Sequence, residues 1–176
     1  ARALGGFIEP VPYVTSASPS ITDWQGANQP LSSNNRTNYC QRSQAFNSWA
    51  PGGTVSVTTG GGVGPDGITA SAAQILTPAA NDGISLVSLA GSVASTSYTF
   101  SVWLYGAAGT TTTIVLQSTG SGGSSAALVT LTGGWARYSV TVTMGGTASG
   151  SLQAVILRNV GNTSTALYAF GAQVEV

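Results

Sequence analysis

The chain has 176 residues, 42% of them apolar and only 6% charged, and five arginines balance five carboxylates to a formal net charge of zero. That length makes one domain, or one domain with an arm, and it can bury a real core without staples. With no Lys and no His, the chain lacks the basic footprint of a nucleic-acid binder, and so little charge suits an assembly better than a concentrated free monomer.

Residues 1–35 stand apart. They hold four of the seven prolines, Pro10, Pro12, Pro19 and Pro30. Proline removes a backbone donor and biases its predecessor to extended conformations. Phe7, Ile8, Tyr13, Ile21 and Trp24 are scattered through the stretch without a sustained period. The reading is an extended N-terminal arm whose large apolar side chains dock on another protein chain, weighed against a plain linker. Residues 36–176 then form the folded domain.

From 34 to 51 the chain is polar with apolar anchors Tyr39, Phe46 and Trp49. A loop, a helical turn near 43–47 and then a strand are expected. A short strand at 54–58 follows, closed by a turn at Gly60-Gly61-Gly62. Pro65-Asp66-Gly67 is a second tight-turn signal. Strands are expected at 73–77, ended by Pro78, and at 84–90.

The segment 97–105 reads Ser-Tyr-Thr-Phe-Ser-Val-Trp-Leu-Tyr. Side chains alternate across a strand, so Tyr98, Phe100, Val102 and Leu104 share an apolar face while Thr99, Ser101, Trp103 and Tyr105 share the other. One side belongs in a core and the other is available. Further strands are expected at 112–118, 127–132, 135–143, 152–158 and 167–176. The nearly continuous apolar run 152–158 reads as a central strand. Eight to ten short strands with regularly spaced turns and no helical pattern predict an all-β, jelly-roll-like antiparallel β-sandwich.

Chemistry is sparse. Cys40 is the only cysteine, so there is no intrachain disulfide and no thiolate metal site, and without a His it has no base to make it a nucleophile. No run of about 18 apolar residues is present, and membrane insertion by a helix is not expected. The carboxylates Glu9, Asp23, Asp66, Asp82 and Glu175 are spread singly. Asp66 with Asp82 is the one conceivable acid–base pair, but both sit in turn contexts where Asp bonds its own backbone. Gly60-Gly61-Gly62-Val63-Gly64 lacks the Gly-Lys-Ser/Thr end of a phosphate loop. Arg137, two residues after Trp135, reads as a pair with it that supports the sheet, a ligand role being the alternative. Trp103 and Tyr105 are the candidate binding residues: aromatic faces on an open sheet stack on sugar rings. The competing readings place them in the core, under the arm, or beneath a neighbouring subunit.

Several stretches together carry a resemblance: Arg36-Thr37-Asn38-Tyr39 running to Phe46 and Trp49; Pro65-Asp66-Gly67; the 97–105 strand; Gly134-Trp135-Ala136-Arg137-Tyr138; and the closing Tyr168-Ala169-Phe170-Gly171-Ala172-Gln173-Val174-Glu175-Val176. Residues 36–176 resemble the jelly-roll domain, similar to carbohydrate-binding modules, of head-fibre, tail-fibre and other structural proteins of tailed bacteriophages. Phe7-Ile8-Glu9-Pro10 is similar to a segment that precedes this domain in phage proteins. The resemblance implies a non-enzymatic virion component, anchored to capsid or tail proteins by its arm, oligomeric and by analogy trimeric, with a host surface glycan as a possible ligand. The alternative is a carbohydrate-binding module or receptor-binding adhesin. Modules of this shape often hold a structural calcium, but a single acidic residue in the last strand, Glu175, leads us to expect neither metal nor other cofactor.

Overall fold

Period-two alternation, punctuated by Gly, Ser and Asn turns, resolves among the described residues into twelve strands and one 3-10 turn. The computed structural model describes residues 38–176 apart from Gln41, Ser88 and Ala90, together with the backbone of two short strands nearer the N-terminus. The chain divides into two compact units, Ala1–Asn35 and Arg36–Val176.

In the first unit, β1 (Ser20–Thr22) pairs antiparallel with β2 (Asn28–Pro30), Ile21 lying opposite Gln29. These two segments form a small antiparallel ribbon. Pro30 is the last residue of β2 in this two-stranded ribbon, a position where a missing N–H is tolerated. Of the arm's expected docking residues, Phe7, Ile8, Tyr13 and Trp24 lie outside the described residues, and Ile21 is described only in its backbone.

The second unit is a sandwich of two five-stranded antiparallel sheets. Sheet I has the order β10-β7-β12-β5-β4, from β4 (Ser56–Gly62), β5 (Ala72–Leu76), β7 (Ser97–Gly106), β10 (Ala136–Thr143) and β12 (Ala166–Glu175). Sheet II has the order β3-β6-β11-β8-β9, from β3 (Ala50–Gly52), β6 (Gly83–Leu86), β8 (Thr111–Ser118), β9 (Ser124–Thr130) and β11 (Leu152–Leu157). This is the antiparallel jelly-roll-like sandwich that the strand pattern calls for. β11 lies in the middle of sheet II, where a nearly all-apolar strand belongs.

β7 presents Tyr98, Phe100, Val102 and Leu104 inward, all fully or almost fully buried. They meet Ile114 and Leu116 of β8 and Leu152, Ala154 and Ile156 of β11 in one hydrophobic core. Full burial of each large side chain favours folding by about 1.5–3 kcal/mol. The 3-10 turn Phe46–Ser48 adds to this core through an aromatic chain, Phe46 to Trp49 at 5.1 Å and Trp49 to Phe100 at 6.4 Å between ring centroids. Asn38 ties the domain's first described residues to the last strand: its Oδ1 accepts from the Val174 N–H at 3.0 Å.

Three boundaries differ from expectation. The Gly60-Gly61-Gly62 run is not a turn: it continues β4, whose register with β5 slips between Thr58 and Gly62, with Gly60 alone of the three at positive φ, +68°. A bulge of this kind bends a strand without ending it. β9 begins at Ser124, not near 127, because Ser124 and Ser125 are held opposite Gln117 and Leu116 of β8. β6 stops at Leu86, where its pairing with β11 ends.

Candidate functional site

The outward row of β7 is Thr99, Ser101, Trp103 and Tyr105, and the strands on either side decide what surrounds it. On β12, Tyr168 lies opposite Tyr105, Phe170 opposite Trp103, Gln173 opposite Ser101 and Glu175 opposite Thr99. On β10, Arg137 lies opposite Trp103 and Ser139 opposite Ser101. Trp135, just before β10, reaches the same face.

Three rings therefore form a row across the strands. The Trp135 and Tyr105 centroids are 5.7 Å apart with planes tilted by 37°, and those of Tyr105 and Tyr168 are 5.6 Å apart with a tilt of 46°. These separations lie in the favourable range for offset aromatic pairs. The row is anchored at both ends. Trp135 Nε1–H donates to the Val63 carbonyl at 3.1 Å, and Gln74 Nε2 donates to the Tyr168 hydroxyl at 3.2 Å.

The link from β4 to β5 acts as a strap over this row. A Cβ on Gly62 would stand 2.8 Å from Cε1 of Tyr168, and one on Gly64 would stand 3.2 Å from Cδ2 of Phe170, so only glycine lets the backbone approach so closely. The strap is self-braced. Asp66 Oδ1 accepts from the Ile68 N–H at 3.0 Å and the Ser71 hydroxyl at 2.8 Å, and the Gly67 N–H donates to the Gly64 carbonyl at 3.0 Å. Its side chains Val63 and Ile68 are exposed. Between strap and rings is a hollow of about 270 Å³ lined by Gly62, Val63, Tyr105, Trp135 and Tyr168.

One row along, Arg137 lies over Trp103, its guanidinium carbon 5.9 Å from the ring centroid. Its Nη2 donates to Ser101 Oγ at 2.8 Å and to Gln173 Oε1. Partial burial lowers the guanidinium below its ordinary value, and the charge of Glu175 opposes that shift. Arg137 therefore pairs across the strands with Trp103 rather than along its own strand with Trp135.

Trp103 and Tyr105 both face outward, Trp103 half-buried and Tyr105 exposed. The apposition of Trp135 and Tyr168 with Tyr105 was not foreseen. Their aromatic character was the available signal, but it becomes a site only through the register of β12 and β10 on β7. The remaining titratable candidates are occupied elsewhere. Asp82 accepts from the Thr54 N–H at 2.7 Å, the Thr54 hydroxyl at 2.8 Å and the Ala79 N–H at 2.7 Å. Those bonds, the Ala79 one first, hold its carboxyl below the usual carboxylate range. Asp66 and Asp82 thus serve separate turns and do not form a pair. Burial pushes the Cys40 thiol up to about 11, which leaves it protonated and unreactive at neutral pH. Among the described residues, no three His, Cys, Asp or Glu side chains gather at one place.

The arrangement offers ring faces, tyrosine hydroxyls and strap backbone, which is the chemistry of apolar stacking plus hydrogen bonding. No carboxylate is among the residues lining the hollow.

No protein-family model matches the chain, and no curated protein does. Solved structures do. The enzymatically active domain of tailspike protein 4 of bacteriophage CBA120 matches with a TM-score of 0.61 at 12% identity, over 78% of this chain and 21% of that one. The CBM22-1 and GH10 modules of Clostridium thermocellum endo-1,4-β-D-xylanase 10B, complexed with xylohexaose, match with a TM-score of 0.51 at 13% identity, over 81% of this chain and 27% of that one. A cyclase from Fischerella sp. TAU matches with a TM-score of 0.50 at 10% identity, over 68% and 72% of the two chains. The fold is that of a carbohydrate-binding-module-like jelly roll. At these identities the likeness is one of fold, and the chain spans about a fifth to a quarter of the length of the first two.

Proposed function

We propose that the sandwich is a non-enzymatic carbohydrate-binding domain whose ligand occupies the strapped hollow on the outer face of sheet I. The observation that carries this reading is the row of Trp135, Tyr105 and Tyr168 facing an open hollow of about 270 Å³. Ring faces complement the C–H faces of a pyranose, while the Tyr hydroxyls and the strap backbone supply polar edges. The lining holds no carboxylate, which supports reading the ligand as held rather than cleaved.

The experiment is a glycan array followed by titration calorimetry on the hits, with wild type and Trp135→Ala. Binding that weakens in the variant without loss of the folded spectrum supports the reading. Absence of any glycan binding, or binding indifferent to Trp135, Tyr105 and Tyr168, overturns it. Release of reducing ends from a bound polysaccharide would overturn its non-enzymatic part.

The setting we propose is a phage virion, as a head-fibre, decoration or tail-fibre component joined to capsid or tail proteins through residues 1–35 and trimeric in the particle. What supports this setting is the resemblance of residues 36–176 to the jelly-roll domain of tailed-phage structural proteins, together with the likeness in fold to a phage tailspike domain. Labelling intact particles for the protein tests it, with light scattering of the purified chain for the oligomer. Particles without label would refute the placement.

A further inference from the structure

We infer that the glycan held on sheet I carries a carboxylate, as in a uronic-acid-containing polysaccharide, and that Arg137 is the residue that reads it; this rests on the reading of the hollow as a sugar site.

Trp103 lies two positions from Tyr105 on the same face of β7, about 7 Å along the strand. Arg137 lies two positions from Trp135 in the same way. Arg137 therefore starts in the row adjacent to the aromatic hollow, and its guanidinium extends one row farther, to Ser101 and Gln173, so that it meets the neighbouring residue of an oligosaccharide running from the hollow along β7. It is also held in place: Trp103 supports its flat face at 5.9 Å, and both hydrogen bonds, to Ser101 Oγ and Gln173 Oε1, use Nη2. Trp103 is in turn fixed against the β12 bulge, where a Cβ on Gly171, at φ +58°, would sit 3.6 Å from its Cδ1.

The other described arginines have different work. Arg158 donates to the backbone carbonyls of Asn162, Thr77 and Pro78, and Arg42 to that of Ser48. Both brace loops. Among the described residues, Arg137 bonds to the side chains of Ser101 and Gln173 and lies over Trp103, all on the outer face, and it is exposed. A planar guanidinium forks onto a carboxylate through two parallel N–H bonds, whereas a neutral hydroxyl accepts them singly. Partial burial disfavours the charge of Arg137, and Glu175 at the far end of the same face already offsets this. A ligand carboxylate adds a second offset.

The test compares matched pairs of oligosaccharides on the whole protein: galacturonan, glucuronoxylan, alginate and hyaluronan fragments, each against its own carboxyl-methylated or carboxyl-reduced form. The acidic member should bind about tenfold more tightly than its neutral partner. That ratio should collapse toward one in Arg137→Gln, be only partly restored in Arg137→Lys, and shrink as salt is raised. Trp135→Ala should weaken both members of a pair alike. Equal or better binding of the neutral members overturns the inference and leaves the sugar site standing. Failure of every member of every pair, with neutral xylan, cellulose and mannan fragments also silent, overturns the sugar site and the inference with it.

Discussion

On the outer face of sheet I a hollow of about 270 Å³ is walled by Tyr105, Trp135 and Tyr168; on that of sheet II a hollow of about 290 Å³ is walled by residues including Pro51, Ser85, Val115, Gln117, Gln153 and Val155. Their sizes are nearly the same. Their chemistry is not. The sheet II hollow has no ring except proline, and two of its three amides bond each other, Gln117 Nε2 donating to Gln153 Oε1 at 2.7 Å. It offers a ligand aliphatic surface, two glutamines bonded to each other and no aromatic face. The sheet I hollow offers stacked faces, with Arg137 in the next row. Concavity is a by-product of strand twist and side-chain size, whereas recognition needs groups whose partners are still to come.

The largest expected effect tests which side of β7 is inside. Phe100 is fully buried, and Phe100→Ala should cost about 3–5 kcal/mol in denaturant unfolding. Trp103→Ala, at an outward position three residues on, should leave a cooperative transition with a much smaller loss. Similar losses for the two would mean that the outer face is covered like a core.

A second perturbation should lower the stability of the sandwich that carries both hollows. Gly53 has φ +80°, and a Cβ there would fall 2.1 Å from Asp82 Oδ1. Gly53→Ala should therefore destabilise the fold by about 1–3 kcal/mol through backbone strain, with further loss from the displaced carboxylate. The same carboxylate sets an acid limit. Its folded value is depressed below its unfolded one, so its contribution is fully present above the unfolded value of about 4 and is lost as pH falls through the folded value. Melting temperature against pH in wild type and Asp82→Asn should converge at the acid end. A constant gap between the two curves would show that Asp82 acts through shape alone.

Binding should then separate the two faces. Tyr105→Ala or Trp135→Ala should weaken glycan binding by about 1–3 kcal/mol, as truncation of an aromatic contact does. Gln117→Ala, on sheet II, should leave glycan binding unchanged and shift stability by no more than about 0.5 kcal/mol. Loss of binding in Gln117→Ala would transfer the site to the opposite face.

Much of this could be read before any coordinates. The two-residue period assigned Phe100, Val102 and Leu104 to the interior and Trp103 and Tyr105 to the opposite face, and the apolar run beginning at Leu152 marked a central strand. Face and burial follow from a chain's own alternation, because successive side chains of a strand must point to opposite sides. Turn chemistry was less dependable. The Gly60-Gly61-Gly62 run satisfies the composition of a turn, yet those glycines serve a bulged strand and a strap that lies against Tyr168.

What only the tertiary structure decided is the company that Tyr105 keeps. Tyr168 is beside it because β12 inserts between β5 and β7, and Trp135 because β10 lies on the other flank of β7. Arg137 went to Trp103, not to Trp135, for the same reason. Side-chain parity is a local property, written every two residues. Cross-strand neighbours are set by the register of segments far apart in the chain, and that register is chosen by the packing of the whole core.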